Sequence, residues 1–476
     1  MKTITNITVA LCLALLFLTG CEPQTKEQKV YIATINDMHA NIDNFPKLAA
    51  LIDSLRTVHP DLLLMSAGDN RSGNPINDRY AEPAKPMIEL MNAVGFDASC
   101  FGNHEWDSDV TGLRDVLGWA DFPFISANVT FEDSLQMPNF QPYVIFNRDG
   151  LKLGVIGAIQ LGLNGLPDSH PKNLGGCHFR PIEEVLPHYI EELKDCNAIF
   201  LLSHCGYEAD RETAEKFPQL ATIFGGHSHT RVSEKQLVNN VMITQAENKI
   251  KFLTLSTFTF VNGVLVDKDM QLLSVKDFPK KNERITEMVK EYNSDPYFST
   301  IVTYNISEVE SAESLGCLMT DAIRTISGAD LAFQNPGGVR FDTLSVRPVT
   351  IKDIFTLDPF DNEIVKFTLT GEEVIRLMKS CYVTDGGPIY CSGCSYSYKD
   401  ENGEMTDVKV TLPNGKPLDT KAKYNVVMNS YMSSVFDYEH EDSGQSTFRT
   451  SNEMMLEFLE KNSEINYGKV SRVSEK

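Results

Sequence analysis

The sequence predicts an α/β protein of two domains, and two features of its apolar pattern support this fold class. From Val30 onward, short runs rich in Val, Ile and Leu recur and end in polar residues, as expected for strands buried on both faces of a sheet. Stretches with helical periodicity lie between several of these runs. The chain has 476 residues, 42% of them hydrophobic, so each domain is long enough to bury its own core.

The predicted elements of the first domain follow one another in a regular order. Helical patterns occupy residues 45–60 and 81–96. The apolar, strand-like runs lie at 30–37, 61–69, 152–160, 197–206 and 222–230.

A charged helical pattern at 281–294 separates the two halves of the chain. It lies between two prolines, which indicates a helix that links two domains. The pattern then restarts with a helix near 315–326. We therefore place a first domain at 30–275, a linker helix at 276–299 and a second domain at 300–476.

The first twenty residues have the pattern of a signal peptide. Lys2 precedes an apolar run, Val9 to Leu18, that is too short to span a bilayer. The run ends in Leu-Thr-Gly-Cys at 18–21, which resembles a bacterial lipobox, so we expect Cys21 to be lipidated. The alternative is an ordinary cleaved signal with an incidental cysteine. Residues 21–29 are polar and indicate a flexible tether.

The charge balance excludes several classes of partner. The chain has 43 Lys and Arg against 65 Asp and Glu, a net charge of −22, and it contains no basic run. Phosphate backbones are bound by clustered Lys and Arg, so nucleic acid polymers and anionic membrane surfaces are poor candidates. An anionic substrate would need metal ions or a few placed arginines.

Polar residues that bind metals cluster where the predicted strands end, which is where open α/β sheets bind their ligands. Two pairs, Asp37 with His39 and His227 with His229, are spaced i and i+2. We expect both members of each pair to point to one side of an extended backbone. The polar residues at these strand ends are seven candidate metal donors, Asp37, His39, Asp69, Asn103, His204, His227 and His229, together with His104 and Asp107.

These donors indicate a site for two divalent ions. Imidazole, carboxylate and amide oxygen together suit zinc, manganese, cobalt or iron. Seven donors with one shared carboxylate form two four-ligand shells, the arrangement that two-metal sites use in phosphoryl transfer. Each motif alone is weak, but all five in this order are specific. The histidines at 59, 170, 178, 188 and 440 are interpreted as surface or core residues.

The order D-x-H, GD, GNHE, H and GHxH resembles that of the calcineurin-like metallophosphoesterases. The longer forms NHEWD, SHCG and GGHSH resemble the 5′-nucleotidase branch, the UDP-sugar hydrolase and 5′-nucleotidase family. The resemblance implies a four-layer α/β/β/α sandwich joined by the linker helix to an α+β substrate-binding domain.

The resemblance also implies roles for individual residues. One metal ion would take Asp37, His39, Asp69 and His229, and the other Asp69, Asn103, His204 and His227. His104 and Asp107 match the catalytic dyad of the family. Ala40 departs from the pattern, because the family usually has Gly after the first His.

The second domain carries candidate substrate contacts. Pro336-Gly-Gly predicts a tight turn with exposed backbone N–H groups. Arg340 offers the planar N–H donors of a guanidinium, which suit a carboxylate or a phosphate. Taken alone, this is a turn followed by a surface arginine. By resemblance to the substrate loop of the family, Asn335, Gly337, Gly338 and Arg340 would contact the ligand, and Pro336 replaces a Gly there.

Two aromatic residues match the base clamp of the family. Phe360 and Tyr431 correspond to its two rings, and Asp437 to the acid that contacts the ribose. Two facing rings would hold a base by stacking. The alternative is that both rings are core packing.

Three features of the second domain depart from the family or lack a role in it. Residues 305–315 lack the arginine that the family carries there, and Val435–Tyr438 replace its Gly-Gly-Asp-Gly. The substrate could therefore differ from a simple nucleoside monophosphate. Cys391 and Cys394 lack a second pair for zinc, and we expect either a small disulfide or two unreactive thiols.

Together these features predict an exported, lipid-anchored enzyme of the bacterial cell envelope, periplasmic or on the outer surface. A metal-bound hydroxide would attack phosphorus of a nucleotide, with His104 assisting. The same chemistry on a nucleotide sugar, dinucleotide or 2′,3′-cyclic nucleotide is the alternative within enzymes. A non-catalytic binding lipoprotein is the alternative outside them.

Overall fold

The computed structural model describes residues 26–341 and 343–476. The signal peptide, the lipobox with Cys21 and most of the tether lie outside these residues. Within them, no helix is both long and apolar enough to cross a membrane.

Fifteen strands build the first domain. They are β1 Glu27–Ile35, β2 Leu63–Ser66, β3 Ala98–Cys100, β4 Phe124–Ile125, β5 Val129–Phe131, β6 Phe140–Gln141, β7 Tyr143–Arg148, β8 Leu151–Ile159, β9 Cys177–Phe179, β10 Ala198–His204, β11 Thr222–Phe224, β12 Gln236–Val238, β13 Val241–Thr244, β14 Phe252–Val261 and β15 Val264–Ser274.

Thirteen of these strands form two large mixed sheets, and β5 and β9 form a separate two-stranded sheet. The first has seven strands in the order β15-β14-β1-β2-β3-β4-β6, and the second has six in the order β12-β13-β11-β10-β8-β7. Strands β1 to β4 run parallel, as do β8, β10, β11 and β13. The carboxyl ends of these parallel strands carry the loops of the candidate site.

The two sheets pack face to face, with helices on both outer faces. Between the sheets lies an apolar core that includes Ile32 and Met65 of one sheet and Val155 and Phe200 of the other. A second core lies under the helices of the first sheet, and a third under those of the second. This arrangement confirms the predicted α/β/β/α sandwich.

The helices of the first domain and the linker are shorter than their sequence patterns. The pattern at 81–96 becomes a helix from Lys85 to Val94, because Pro86 lies in its first turn and Gly95 ends it in a left-handed conformation. The helices are Phe45–Val58, Pro75–Asp78, Lys85–Val94, Asp109–Trp119, Ile182–Glu192, Tyr207–Lys216 and, between the domains, Glu283–Tyr292.

The second domain is an α+β unit around a five-stranded sheet in the order β20-β17-β23-β19-β24. Its helices are Ala312–Ser327, Ile351–Leu357, Gly371–Thr384, Ser430–Val435 and Ser451–Glu460. Its strands are β16 Ile301–Asn305, β17 Leu331–Gln334, β18 Arg347–Thr350, β19 Glu363–Thr370, β20 Tyr390–Ser392, β21 Ser395–Glu401, β22 Glu404–Thr411, β23 Lys423–Asn429, β24 Gln445–Thr450, β25 Glu464–Ile465 and β26 Val473–Glu475.

Cys391 and Cys394 are both buried free thiols. The Sγ atom of Cys391 lies 3.3 Å from the backbone oxygen of Cys394. Of the two alternatives predicted for this pair, the structure therefore has the unpaired thiols.

Candidate metal centre and substrate cavity

The candidate metal-binding motifs lie at or just after the ends of five strands, on both sheets. Strand β1 ends two residues before Asp37, and β2 ends three residues before Asp69. In the second sheet, His204 is the last residue of β10, while β11 ends at Phe224, before His227. Because the sheets pack face to face, the two sets of loops meet at one edge of the sandwich.

The backbone of these motifs is not extended, so the geometric reason given for the i, i+2 pairs is wrong. Asp37 and His39 have φ values of 49° and 46°, and His227 and His229 have 75° and 54°. These left-handed conformations turn each donor inward from a tight loop and store strain that the surrounding contacts must offset. Ala40, with φ of 52°, also occupies a position that favours glycine.

One group of donors surrounds Asp37. Its Oδ1 atom lies 3.4 Å from His229 Nε2 and 4.0 Å from His39 Nε2. His39 Nε2 and His229 Nε2 are 2.9 Å apart, and Asp69 Oδ2 lies 3.9 Å from His39 Nε2. Asp37, His39 and His229 could together hold a metal ion.

A second group of donors surrounds Asp69 and Asn103. Asp69 Oδ2 lies 3.2 Å from His204 Nε2. Asn103 Oδ1 lies 3.3 Å from the same nitrogen and 3.1 Å from Nδ1 of His227. Asp69 is therefore within reach of both groups, in the position of a shared carboxylate.

In His39 and His204, Nδ1 contacts a backbone oxygen, and Nε2 is directed towards the other donors. Nδ1 of His39 contacts the backbone oxygen of Ser72 at 3.1 Å, and Nδ1 of His204 contacts that of Ala67 at 2.7 Å. A ring N–H held in this way fixes the tautomer and directs the other nitrogen to the metal. Burial and the guanidinium of Arg340 hold the pKa of His39 well below its usual value, which keeps this ring neutral.

Gly102 allows the loop after β3 to approach Asp69 closely. A Cβ atom at Gly102 would lie 2.2 Å from Asp69 Oδ1, so no larger residue fits. The buried carboxylate of Glu105 accepts hydrogen bonds from the backbone N–H groups of Asp69, Asn70 and Gly102. Burial and the charge of Asp69 raise the pKa of Glu105 to about 7.

His104 and Asp107 form a hydrogen-bonded pair beside the donors. His104 Nδ1 lies 2.8 Å from Asp107 Oδ2, and its Nε2 faces Asp69 at 3.9 Å. Burial opposes the charged ring, but the carboxylates of Asp69 and Asp107 outweigh it and raise the pKa of His104. The pair can therefore hold a proton at Nε2 and present it to a leaving oxygen.

A cavity of about 460 Å³ extends from the donors to the second domain. Arg340 reaches the donors from the second domain, with Nη2 3.0 Å from His39 Nδ1. Phe360 lies over His104, with ring centroids 5.6 Å apart and nearly parallel planes. Both domains therefore contribute to one site.

The structure brings six of the seven predicted substrate contacts to this cavity. Asn335, Gly337, Gly338, Arg340, Phe360 and Tyr431 all line it. Asp437 does not, because Phe436 takes the buried position after the short helix and leaves Asp437 exposed.

Several residues of the site had no signal in the sequence. Asp168 lies 3.5 Å from Nε2 of His227, and Asn248 lies 2.9 Å from Nδ1 of His229. Asp385 accepts hydrogen bonds from the Gly337 N–H and the Asn335 side chain, and so holds the substrate loop. Asp168 and Asp385 line the cavity, as does His170, which the sequence had assigned to the surface or core.

Two family models match the chain, one in each domain. The calcineurin-like phosphoesterase model matches residues 30–231, and the model of the 5′-nucleotidase C-terminal domain matches 297–438. Protein UshA of Salmonella pullorum is 27% identical, over 96% of this chain and 96% of that protein. The 5′-nucleotidase of Vibrio vulnificus is 26% identical, over 95% of each.

Solved structures show the same fold. A 5′-nucleotidase precursor from Thermus thermophilus matches with a TM-score of 0.84 and 22% identity, covering 94% of this chain and 99% of its own. The sulfate thiohydrolase SoxB of Thermus thermophilus matches with a TM-score of 0.76 and 20% identity, covering 90% of this chain and 82% of its own. These likenesses support the two-domain architecture.

Proposed function

Because this chain belongs to the calcineurin-like phosphoesterases that carry a 5′-nucleotidase C-terminal domain, we propose that its cavity hydrolyses the phosphate ester of nucleotides. The chain is a metal-dependent phosphoric ester hydrolase of the 5′-nucleotidase type. The observation that supports this function best is the position of Asp69 between two groups of metal-binding side chains.

Two divalent ions would be held by the two groups of donors. Asp37, His39 and His229 would bind one, and Asn103, His204 and His227 the other, with Asp69 bridging. When bound, such ions activate water and offset the charge that develops on the phosphoryl group. Manganese, zinc, cobalt and iron all suit these donors.

The residues around the ions would bind the substrate and move a proton. Arg340 would hold phosphate oxygens near His39, and His104, oriented by Asp107, would protonate the leaving oxygen. The base would lie between Phe360 and Tyr431, beside the loop of Asn335, Gly337 and Gly338. Asp437 would reach the ribose only if its loop rearranged.

The protein would act outside the cytoplasm. The apolar run before Cys21 supports export, and the lipobox supports a lipid anchor on Cys21 joined to the enzyme through the tether. The folded domains would then contact the membrane only through this anchor.

The test is phosphate release from a panel of nucleotides by the purified protein. Nucleoside monophosphates, a nucleotide sugar, a dinucleotide and a 2′,3′-cyclic nucleotide would be compared, each with manganese, zinc, cobalt or iron. We expect a chelator to abolish activity and divalent ions to restore it, because the proposed reaction needs the ions to activate water.

Among changes of the proposed ligands, Asp69→Asn should lower activity most, because it weakens metal binding by both groups of donors. Asp133→Asn, an exposed residue of the same domain, is the matched control. Wild-type turnover in Asp69→Asn would rule out a shared carboxylate, and no turnover of any substrate would favour a binding lipoprotein.

A further inference from the structure

A buried arginine in the wall of the cavity has no hydrogen-bond or ion-pair partner among the residues that the structure describes. Arg71 follows Asp69 by two residues, lines the cavity and is only 4% exposed. Its Nε and Nη1 atoms are enclosed and make no hydrogen bond. Among the residues at 26–341 and 343–476, none forms an ion pair with it.

The carboxylates of the neighbouring loop are already used. Asp78 accepts hydrogen bonds from the backbone N–H groups of Ser72, Gly73 and Asn74. Asp69 accepts one from the N–H of His104 and faces His204. The cation of Arg71 is therefore not neutralised within its own loop.

A buried, unpaired cation is costly to the folded protein. A charge taken out of water loses its solvation and normally requires a partner of opposite sign. With 65 acidic residues against 43 basic ones, the protein has ample carboxylates for such a pair, yet none is placed there. This arrangement favours an anion that comes from outside the protein.

The loop of Arg71 lies beside the donors at the phosphate end of the cavity. The backbone oxygen of Ser72 contacts Nδ1 of His39, and Nη2 of Arg340 lies 3.0 Å from the same ring nitrogen. The loop that carries Arg71 and, from the other domain, the side chain of Arg340 thus meet beside His39. A guanidinium suits this role because its N–H groups match the oxygens of a phosphate.

We propose that Arg71 is a substrate-binding residue that pairs with a phosphate oxygen, as a second cation beside Arg340. The identification of the anion as the phosphate of a nucleotide rests on the proposed function. The binding of an oxyanion by Arg71 rests only on its burial, its lack of a partner and its place in the cavity.

The test uses inorganic phosphate and the metal-loaded protein. Calorimetry gives the dissociation constant of phosphate for the wild type, Arg71→Gln and Arg71→Lys. Arg114→Gln, an exposed residue of the same domain, is the control with the same change of charge. We expect Arg71→Gln to raise the constant ~10–100-fold, Arg71→Lys to raise it less, and Arg114→Gln to leave it unchanged.

Thermal unfolding separates binding from a merely structural role. Without phosphate, Arg71→Gln should unfold at the same or a higher temperature than the wild type, because an uncompensated charge is removed. The increase in this temperature on adding phosphate should be smaller in the variant. A lower unfolding temperature with unchanged phosphate affinity would show a structural role and overturn the proposal.

Turnover separates this proposal from the proposed function. The KM for a nucleoside monophosphate should rise in Arg71→Gln by about the same factor as the dissociation constant of phosphate. If the wild type hydrolysed no nucleotide but Arg71→Gln still lost phosphate affinity, the proposed function would fail and the role of Arg71 would stand.

Discussion

At the scale of single residues, the shared carboxylate of Asp69 depends on a neighbour that has no side chain. Gly102 leaves room for Asp69 where a Cβ atom would lie 2.2 Å from its Oδ1. The imidazoles of His204 and His104, against the effect of burial, hold the pKa of Asp69 well below its usual range. The carboxylate thus stays ionised, within reach of both groups of candidate donors.

Gly102→Ala should remove metal and activity without changing a ligand. The added methyl group must displace Asp69 or its loop, and ion affinity depends on fixed ligand geometry. Metal analysis of the purified variant measures the loss. The control is Gly118→Ala, an exposed helical position whose Cβ would meet nothing closer than 3.9 Å. That control should keep its metal and gain ~0.5–1 kcal/mol of stability.

His104→Ala should lose most of kcat, ~10²–10⁴-fold, but keep its metals. His104 lies beside the donors and could bind an ion with His39 and Asp69, but the two proposed groups of four ligands do not include it. Asp107→Asn should lower kcat less, because Asp107 acts only through His104: its carboxylate orients the ring and stabilises the ring charge through the 2.8 Å contact. The measurements are kcat and metal content.

The leaving group provides an independent check on the role of His104. The loss in His104→Ala should shrink for p-nitrophenyl phosphate, whose leaving oxygen hardly needs a proton. Loss of bound metal in His104→Ala would instead make this residue a ligand.

At the scale of elements, the site is built from loops that begin where strands end. The strand prediction at 222–230 extends too far, because β11 ends at Phe224 and the GGHSH motif follows as a loop. The hairpin of β14 and β15 was not predicted, although Asn262-Gly263 between two apolar runs is a strong hairpin signal. Both residues have positive φ, as such a turn requires.

The two proposed clamp rings belong to different elements and should behave differently. Tyr431 lies on the helix Ser430–Val435, whereas Phe360 lies in a loop over His104. Tyr431→Ala should raise the KM for nucleotides about tenfold or more and spare p-nitrophenyl phosphate, because base stacking is lost. Phe360→Ala should also lower kcat on both substrates, since its ring packs against His104.

Steady-state kinetics on the two substrates measures this difference. Phe448→Ala, 84% exposed in the same domain, is the control and should change neither substrate. Equal losses on both substrates in Tyr431→Ala would favour core packing over a clamp.

At the scale of the whole molecule, contacts between the domains hold the cavity together. Arg79 of the first domain pairs with Asp361, next to Phe360, and lies over the ring of Phe355. Lys352 pairs with Asp43 at 3.1 Å. These contacts join the helix Ile351–Leu357 and the loop of Phe360 to the first domain.

Cys21→Ser should release the protein from the membrane fraction without loss of turnover. The anchor would be joined through a polar tether, and the cavity lies within the folded domains. Fractionation followed by a phosphate-release assay measures both properties. A variant that stayed with the membrane would show that the lipobox assignment is wrong.

The sequence by itself determined the fold class and the two-domain architecture, and it named the candidate metal-binding donors that the structure brings together. Apolar runs specify buried strands, and the same motifs in the same order identified the family, which the two family models confirm. This information is local, because each motif directly follows the strand that positions it.

Only the tertiary structure decided how those donors meet and what else lies around them. The left-handed conformation of Asp37 and His229 is imposed by contacts between loops, and no spacing rule predicts it. Asp168 and Asp385 reach the cavity from segments without a motif, because their positions depend on how distant loops and the two domains pack. Arg71 follows the motif residue Asp69, but its lack of a partner was visible only in the structure. Asp437 stays outside the cavity for the same reason: Phe436 takes the buried position beside it, an outcome of packing that the motif could not specify.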